Sequence, residues 1–364
     1  MCTGIKSCAC RYTSTLDIVS LPTIAAHIIG EVYYSSFVMI LSIAFAYCSK
    51  MTRLAKLIVF LGCLRYIQGS ASCKSSDGKE VDWFIIYKVP KLTSPNKTSG
   101  TEFFYMDTAS PSFSFSQKDI TKSIENPLYE TLKALYDQSP DIVTYAMYND
   151  QPPPTVKAAD GRHAHSKGVL AFDNTKGFWI VSSVPKFPSP VAKGFMFSDS
   201  QTKFGQSILC VTVAKTVENI LKTVFGTTNP YIYDKKNFDI KISNPMNSVH
   251  IPIKTFGNVQ LEILAKSASF GQDIYDKLIS PKLADHLLVR TWRPKLLDTA
   301  MVSNVINACF PNKIAFNHGI DHSKWAVTEN KHLICIGDIN RQETQAKRGG
   351  LSLCLTNAGA SKEF

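Results

Sequence analysis

The tripeptide His-Ser-Lys occurs twice in this chain, at residues 165–167 and 322–324, and this repeat is the strongest constraint on the fold. Each copy begins a hydrophobic, strand-like run. In a β-strand, residues i and i+2 project from the same face of the sheet, so the histidine and the lysine of each copy should point into one space. The repeat therefore predicts two halves of similar construction whose imidazole and ammonium groups converge where the halves meet.

The segments around the two copies have the patterns of alternating strands and helices. Runs rich in aromatic and β-branched residues, such as 82–90, end at turn-forming residues and predict strands. The stretch 127–136 has the apolar spacing of a helix. A break near residues 190–205 separates two stretches of comparable size. We therefore predict a mixed α/β fold with a first half at 72–200 and a second half at 201–364.

Two N-terminal segments precede these halves. Residues 51–71 have the pattern of a secretory signal peptide, because basic residues precede a short apolar run that ends at small residues. Residues 1–50 would be an upstream extension or an uncleaved anchor, and their apolar stretch 32–48 is somewhat short for the ~20 residues that a bilayer requires. We expect a mature chain that begins near Ser72 and is not membrane-bound unless residues 32–48 are retained.

The cysteines fit a secreted protein. Those beyond residue 71 are Cys73, Cys210, Cys309, Cys335 and Cys354. They are far apart and contain no Cys-x-x-Cys zinc pattern, so distant disulfides in an oxidising compartment explain them best. Five is an odd number, so at least one should stay free or pair between chains. A glycosylation sequon at Asn96 lies in a polar, loop-like segment.

Two imidazoles and two ammonium groups in one space suit the cleavage of a phosphodiester. One imidazole can attack phosphorus, the other can protonate the leaving oxygen, and the lysines can neutralise charge on the phosphoryl oxygens. The formal net charge of +11 is compatible with a polyanionic partner, although many basic proteins bind no nucleic acid. A zinc site is disfavoured, because neither His163-x-His165 nor His318-x-x-x-His322 has a nearby carboxylate in a known metal pattern.

Several longer motifs resemble the deoxyribonuclease II family, a branch of the phospholipase D superfamily. They are VDWFIIYKVP, YNDQPP, the stretch from His165 to Pro188, FGQSILC, DHSKW and CIGDINRQETQAKRGGLSLC, and they extend from Cys73 to about Cys354. The resemblance implies a phospholipase D-like fold, with two pseudo-symmetric α/β halves and the active site between them. It also implies an endonuclease that cuts DNA at acid pH without a cofactor or divalent metal and leaves 3′-phosphates.

The resemblance assigns roles to particular residues. His165 and Lys167 would form the first catalytic motif, and His322 and Lys324 the second. In the superfamily the first histidine is usually the nucleophile that forms a phosphohistidine and the second is the general acid, but the sequence leaves the reverse assignment open. Asn340, in Gly-Asp-Ile-Asn, would contact phosphate or support the motif.

Further positions depart from the superfamily pattern. Asp173 lies one residue later than the superfamily spacing, and Lys186 stands at the first-half position comparable to Asn340. Both would contact phosphate or support the motif.

The resemblance also implies a disulfide between Cys73 and Cys210. It leaves the other three cysteines open, because Ala326 replaces the usual partner of Cys335.

We therefore predict a secreted or lysosomal acid endonuclease that acts on DNA, as a monomer or a homodimer. Two alternatives stay open. A non-catalytic secreted protein that binds DNA or another partner is disfavoured because both His-Ser-Lys motifs are intact. A phosphodiesterase of the same fold that acts on phospholipid is disfavoured because the longer motifs are those of the nuclease branch.

Overall fold

The computed structural model describes residues 70–94, 97–240 and 246–364. The predicted N-terminal extension, nearly all of the predicted signal peptide and the sequon at Asn96 therefore lie outside the described residues. No helix among the described residues is long and apolar enough to cross a membrane.

The first part of the described chain forms a large antiparallel sheet. Its strands and those of a small preceding sheet are β1 (Cys73–Lys74), β2 (Glu80–Val81), β3 (Trp83–Lys88), β4 (Phe103–Asp107), β5 (Ser114–Ser116), β6 (Thr144–Asn149), β7 (Lys167–Phe172), β8 (Lys176–Ser182), β9 (Gln206–Ala214) and β10 (Ile232–Lys236). β1 pairs with β2, and the large sheet has the order β10-β6-β7-β8-β9-β3-β4-β5. The helices α1 (Pro127–Tyr136) and α2 (Val217–Thr228) accompany this sheet.

The second part forms another large sheet. Its strands and those of a small hairpin are β11 (Ser248–Lys254), β12 (Gln260–Lys266), β13 (Leu287–Arg290), β14 (Val302–Asn304), β15 (Asn307–Cys309), β16 (Ala315–Asn317), β17 (Trp325–Thr328), β18 (Leu333–Gly337) and β19 (Gly350–Thr356). β15 pairs with β16, and the large sheet has the order β14-β13-β17-β18-β19-β12-β11. Its helices are a π-helical segment Tyr275–Ile279, α3 (Ser280–Leu283), α4 (Glu343–Ala346) and α5 (Ala358–Lys362). The first part also contains single 3₁₀ turns at Val191–Lys193 and Asp199–Gln201. Those of the second part are Ala268–Phe270, Pro311–Lys313 and His318–Ile320.

Seven strands of the first large sheet match the seven strands of the second, and β5 has no counterpart. The order β10-β6-β7-β8-β9-β3-β4 in the first corresponds to β14-β13-β17-β18-β19-β12-β11 in the second, and only the β13–β14 pair is parallel. The registers agree as well, because Lys88 pairs with Gln206 where Lys266 pairs with Gly350. The predicted mixed α/β fold is therefore confirmed.

The change from one sheet to the other comes later than the sequence indicated. β9 and β10 follow the break near residues 190–205, yet they belong to the first sheet, where β9 pairs with β3 and β8. Almost every residue of β9 is buried, so this strand needs neighbours on both sides. The break is a surface excursion inside the first half, and the sheets change between Lys236 and Ser248.

The core lies mainly between the sheets. One apolar cluster joins Trp83 and Trp179 of the first sheet to Trp325 and Leu353 of the second. Each fully buried large apolar side chain of this kind stabilises the fold by about 1.5–3 kcal/mol. Close packing of the two sheets brings the beginnings of β7 and β17, and with them both His-Ser-Lys motifs, toward a shared interface.

Helix α1 covers the outer face of the first sheet and begins where its sequence predicts. The side chain of Asn126 accepts a hydrogen bond from the backbone N–H of Leu128 at 2.9 Å, which caps the helix, and Pro127 occupies its first turn. Its apolar face, including Leu132, packs against the outer side of the sheet. The prediction of a helix at 127–136 is confirmed.

Disulfides join strands within each half. Cys73 is bonded to Cys210, which links β1 to β9, and this is the pairing that the resemblance implied. Cys335 is bonded to Cys354, directly opposite it on the neighbouring strands β18 and β19. Cys335, whose partner the sequence left open, is therefore paired with Cys354.

Candidate active site

The two His-Ser-Lys motifs lie at corresponding places, just before or at the start of the central strands β7 and β17. Each motif is held by the opposite half of the molecule. The backbone N–H of His165 donates to the carbonyl oxygen of Gly349 at 3.0 Å, and that of His322 donates to Gly205 at 2.8 Å. The structure brings the motifs close enough that the charge of Lys324 acts on His165.

The ring of His165 is held in one tautomer. Its Nδ1 lies 2.5 Å from the backbone carbonyl oxygen of Asp338. A carbonyl oxygen can only accept, so Nδ1 carries the proton and Nε2 keeps a lone pair in the neutral ring. Burial, and after it the charge of Lys167, lowers the pKa of His165 well below 6.5. His165 is therefore neutral and presents an unprotonated Nε2.

His322 has different surroundings. Its ring stacks on Phe204 with the ring centroids 4.0 Å apart, and Trp292 lies on it at 4.7 Å with a tilt of 56°. Its Nε2 is buried and makes no hydrogen bond within the described part of the chain. Burial and the charge of Lys324 lower the pKa of His322 to about 3. The aromatic contacts therefore restrict the plane of this ring.

The motif lysines are buried. Lys324 is 3% exposed, and its Nζ donates to the carbonyl oxygen of His322 at 2.5 Å. Burial and the charge of Lys167 lower the pKa of Lys324 to about 7. Lys167 is 2% exposed, and its Nζ lies 2.5 Å from Oδ1 of Asp150. The two ammonium groups therefore repel each other across the site, and a bound anion would relieve that repulsion.

Asp150 is a site residue that the sequence analysis did not single out. Its carboxylate accepts a hydrogen bond from Lys167 and forms an ion pair, at 3.1 Å, with Arg348 of the second half. Burial would raise the pKa of Asp150, but the charges of Lys167 and its other cationic neighbours hold that pKa well below its usual range. Arg348 also donates to the carbonyl oxygen of His163 at 2.8 Å. Asp150 thus positions Lys167 and joins the first motif to the second half.

Asp321, directly before the second motif, performs a similar task inside the core. The hydroxyl of Tyr87 donates to its carboxylate at 2.6 Å, and Nε of Arg290 also donates to it. The backbone N–H of Ser323 donates to its other oxygen at 3.0 Å. Because Tyr87 belongs to the first sheet and Arg290 to the second, this network fixes the segment that carries His322 between the sheets. The motif DHSKW contained Asp321, but its partners could not be read from the sequence.

Asn340 supports the motif through an aromatic neighbour of the second histidine. Its Oδ1 accepts from the backbone N–H of Trp292 at 3.2 Å, and the residue is 4% exposed. This bond holds the segment whose indole ring lies against His322. Asn340 therefore helps to fix the position of Trp292.

Asp173 and Lys186 do not join the buried cluster. Asp173 follows β7 at the end opposite Lys167, where Oδ1 accepts from the backbone N–H groups of Thr175 and Lys176 at 2.7 and 2.8 Å. These two bonds stabilise the turn into β8. Asp173 lies in this turn because it is one residue later than the superfamily spacing. The side chain of Lys186 is exposed, and its backbone N–H donates to the carbonyl oxygen of Gln151 at 2.8 Å.

No group of three or more His, Cys, Asp or Glu side chains among the described residues is arranged to hold a metal ion. The groups that surround the two imidazoles are mainly cationic, and the carboxylate of Asp150, which faces the first of them, is already paired with Lys167 and Arg348. This arrangement can receive an anion, attack it with one nitrogen and protonate it with another.

Comparisons with known proteins point to a single family. A family model described as Deoxyribonuclease II matches residues 72–364. The chain is 32% identical to Plancitoxin-1 of Acanthaster planci, over 81% of this chain and 90% of that protein. It is 33% identical to Cell-death-related nuclease 7 of Caenorhabditis elegans, over 84% and 88%. It is 31% identical to Deoxyribonuclease-2-alpha of Mus musculus, over 84% and 94%.

Proposed function

Because this chain belongs to the deoxyribonuclease II family and is an endonuclease of that type with a phospholipase D-like fold, we propose that it cleaves DNA in two steps through a phosphohistidine on His165. The reaction would need no metal, proceed best at acid pH and leave 3′-phosphates. The four residues of the two motifs would carry it.

The observation that carries this proposal is the bond from His165 to the carbonyl oxygen of Asp338. It supports the assignment of His165 as nucleophile, because it leaves the lone pair on Nε2. The corresponding ring of His322 is held by aromatic contacts instead, and its Nε2 is buried without a partner in the described chain. A proton on that nitrogen could pass to the substrate without first breaking a bond within the described chain.

In the first step, Nε2 of His165 attacks phosphorus while the bond from phosphorus to the 5′-oxygen breaks. His322 gives its proton to that oxygen, which leaves as a 5′-hydroxyl. Lys167 and Lys324 stabilise the negative charge on the two non-bridging oxygens. In the second step, His322 takes a proton from water, the resulting hydroxide attacks phosphorus, and His165 departs from the new 3′-phosphate.

The ends of the cut DNA test the direction of cleavage. Plasmid DNA should be nicked at pH 5, and a polymerase should extend the nicks only after a phosphatase has removed the 3′-phosphates. Nicks that are extended directly would contradict the proposed mechanism. Binding of DNA without any nicking would favour the alternative of a non-catalytic binding protein. Hydrolysis of phospholipid instead of DNA would favour the alternative of a phosphodiesterase that acts on phospholipid.

We also propose that the mature enzyme is secreted or lysosomal. The signal-peptide pattern at 51–71 and the disulfides Cys73–Cys210 and Cys335–Cys354 support an oxidising route through the secretory pathway. N-terminal sequencing of protein isolated from the culture medium should begin near Ser72. A chain that still contains residues 1–50 would overturn this proposal.

A further inference from the structure

Lys88 and Lys266 are buried lysines at equivalent positions of the two sheets. Lys88 ends β3 opposite Gln206, and Lys266 ends β12 opposite Gly350. Both side chains are 0% exposed, although neither belongs to a His-Ser-Lys motif. Burial of an ammonium group destabilises the fold unless its N–H groups are hydrogen-bonded. The two halves therefore both contain such a group at the equivalent position.

The ammonium group of Lys88 holds the segment that leads to the second histidine. It donates to the carbonyl oxygens of Val89, Gly100 and Thr202 at 2.9, 3.0 and 3.2 Å. Thr202 is closely followed by Phe204, whose ring stacks on His322, and by Gly205, which accepts the backbone N–H of His322.

Lys266 holds the segment that contacts the first histidine. Its Nζ donates to the carbonyl oxygens of Ala346 and Arg348 at 2.7 and 2.5 Å. It also lies 5.9 Å from the ring centroid of Phe270. The next residue after Arg348 is Gly349, whose carbonyl oxygen accepts the backbone N–H of His165.

The glycines of these segments are packed too closely for any side chain. A Cβ atom on Gly205 would lie 2.6 Å from Oδ1 of Asp321, and one on Gly349 would lie 2.1 Å from the carbonyl oxygen of Thr228. Backbone therefore packs on backbone or on a buried carboxylate at both places. Gly205 therefore packs directly on the segment that carries His322, whereas Gly349 is fixed against Thr228 and reaches His165 through its carbonyl hydrogen bond.

We propose that Lys88 and Lys266 are a pair of positioning residues, each of which holds the loop that fixes the catalytic histidine of the opposite half. Lys266 acts on His165 through Gly349, and Lys88 acts on His322 through Phe204 and Gly205. The inference rests on the proposed function for its catalytic consequences. Its structural content, a crossed dependence between the halves, stands independently.

The positive charge of each lysine strengthens its hydrogen bonds to the loop carbonyl oxygens at acid pH. We call the bonds of Lys88, and those of Lys266, a clamp. Burial lowers the pKa of Lys88 to about 7, although the carboxylates of Asp321 and Glu102 act in the opposite direction. Burial lowers the pKa of Lys266 to about 8, against the charges of Asp338 and Asp273. Above these pH values each nitrogen loses one N–H and its positive charge, so its bonds to carbonyl oxygens weaken. At acid pH both clamps are fully formed.

The test compares Lys88→Met, Lys266→Met and the control Lys236→Met. Lys236 also donates from Nζ to a backbone carbonyl, that of Ile142 at 2.7 Å, but holds neither catalytic loop. Hydrogen exchange at the backbone amides of His165 and His322 is followed together with the kinetics of DNA cleavage at pH 5. Lys266→Met should speed exchange at His165 roughly tenfold and leave His322 unchanged, and Lys88→Met should do the reverse.

Each of these two variants should also lower kcat by about 10- to 100-fold and change KM by less than about twofold, because the histidines are misplaced while the DNA-binding surface stays intact. The ratio of wild-type to variant activity should shrink above about pH 8, where the wild-type lysines lose their own charge. If a methionine variant does not fold, Lys88→Gln and Lys266→Gln, which keep amide donors, should show the same crossed pattern to a smaller extent.

Equal changes of exchange at both histidines in each variant, or no change at either, would overturn the inference, as would an unaltered kcat. The exchange measurement does not depend on catalysis. If the wild-type protein failed to cut DNA, the proposed function would fall, while the crossed exchange pattern would still decide whether the clamps exist.

Discussion

Alanine in place of either His165 or His322 should abolish the cleavage of DNA, and a substrate with a good leaving group should separate their roles. On thymidine 3′-(4-nitrophenyl phosphate), nitrophenolate departs without a proton, so the general acid is dispensable in the first step. His322→Ala should therefore release a burst of about one nitrophenolate per active site and then stall, since no base activates water for the second step. His165→Ala should give no burst.

The expected loss on DNA is about 10²–10⁴-fold for His322→Ala, the usual contribution of a proton-transfer group, and at least as large for His165→Ala, which removes the nucleophile. His250→Ala is a matched control, because His250 lies on β11, where its Nε2 is bonded to Glu262 at 2.8 Å, and it should leave cleavage unchanged. A burst from His165→Ala and none from His322→Ala would reverse the assigned roles. Near-normal turnover by either variant would remove the two-histidine site altogether.

Activity should also survive excess EDTA and rise as the pH falls from neutral into the acid range. The pKa of His322 is lowered to about 3 in the free enzyme, so its protonated fraction grows continuously as the pH falls from 8 toward 3. The pKa of Lys324 is lowered to about 7, so this phosphate-binding group is fully charged only below neutrality. Both effects place the basic limb of kcat/KM at or below neutral pH.

The acid limb has a different origin. The pKa of His165 lies well below 6.5, so the nucleophile is neutral at neutral pH, and its protonation at lower pH ends the reaction. In the complex, the phosphate charge offsets Lys167 and Lys324 and raises the pKa of His322, so the basic limb of kcat should lie at a higher pH than that of kcat/KM. For kcat, we therefore expect a bell-shaped profile with its maximum at roughly pH 4.5–6.

Rates of plasmid nicking from pH 4 to 9, with and without EDTA, decide this prediction. A divalent cation would be repelled by the ammonium groups of Lys167 and Lys324, and the reaction as proposed has no step that requires one. Loss of activity in EDTA with recovery in Mg²⁺ would contradict the mechanism even if the products were those expected. A maximum above pH 7.5 would contradict it as well.

The sequence by itself determined which chemical groups meet and on which kind of element. The spacing of His165 to Lys167, repeated at His322 and Lys324, puts each imidazole two residues from an ammonium group, at or just before the start of a central strand. That is a local property of the backbone. The helix at 127–136 was predictable for the same reason, since its cap and its apolar spacing lie within the segment itself.

Only the tertiary structure decided which distant residues complete the site. The partner of Lys167 is Asp150, which follows β6, the neighbour of β7 in the sheet. The carbonyl oxygen that selects the tautomer of His165 belongs to Asp338 of the other half. Such contacts depend on sheet order and on how closely the two sheets pack, and no spacing along the chain encodes them. The sheet to which β9 belongs was misjudged for this reason, because hydrogen bonding to β3 and β8, rather than the break near residues 190–205, determines its place.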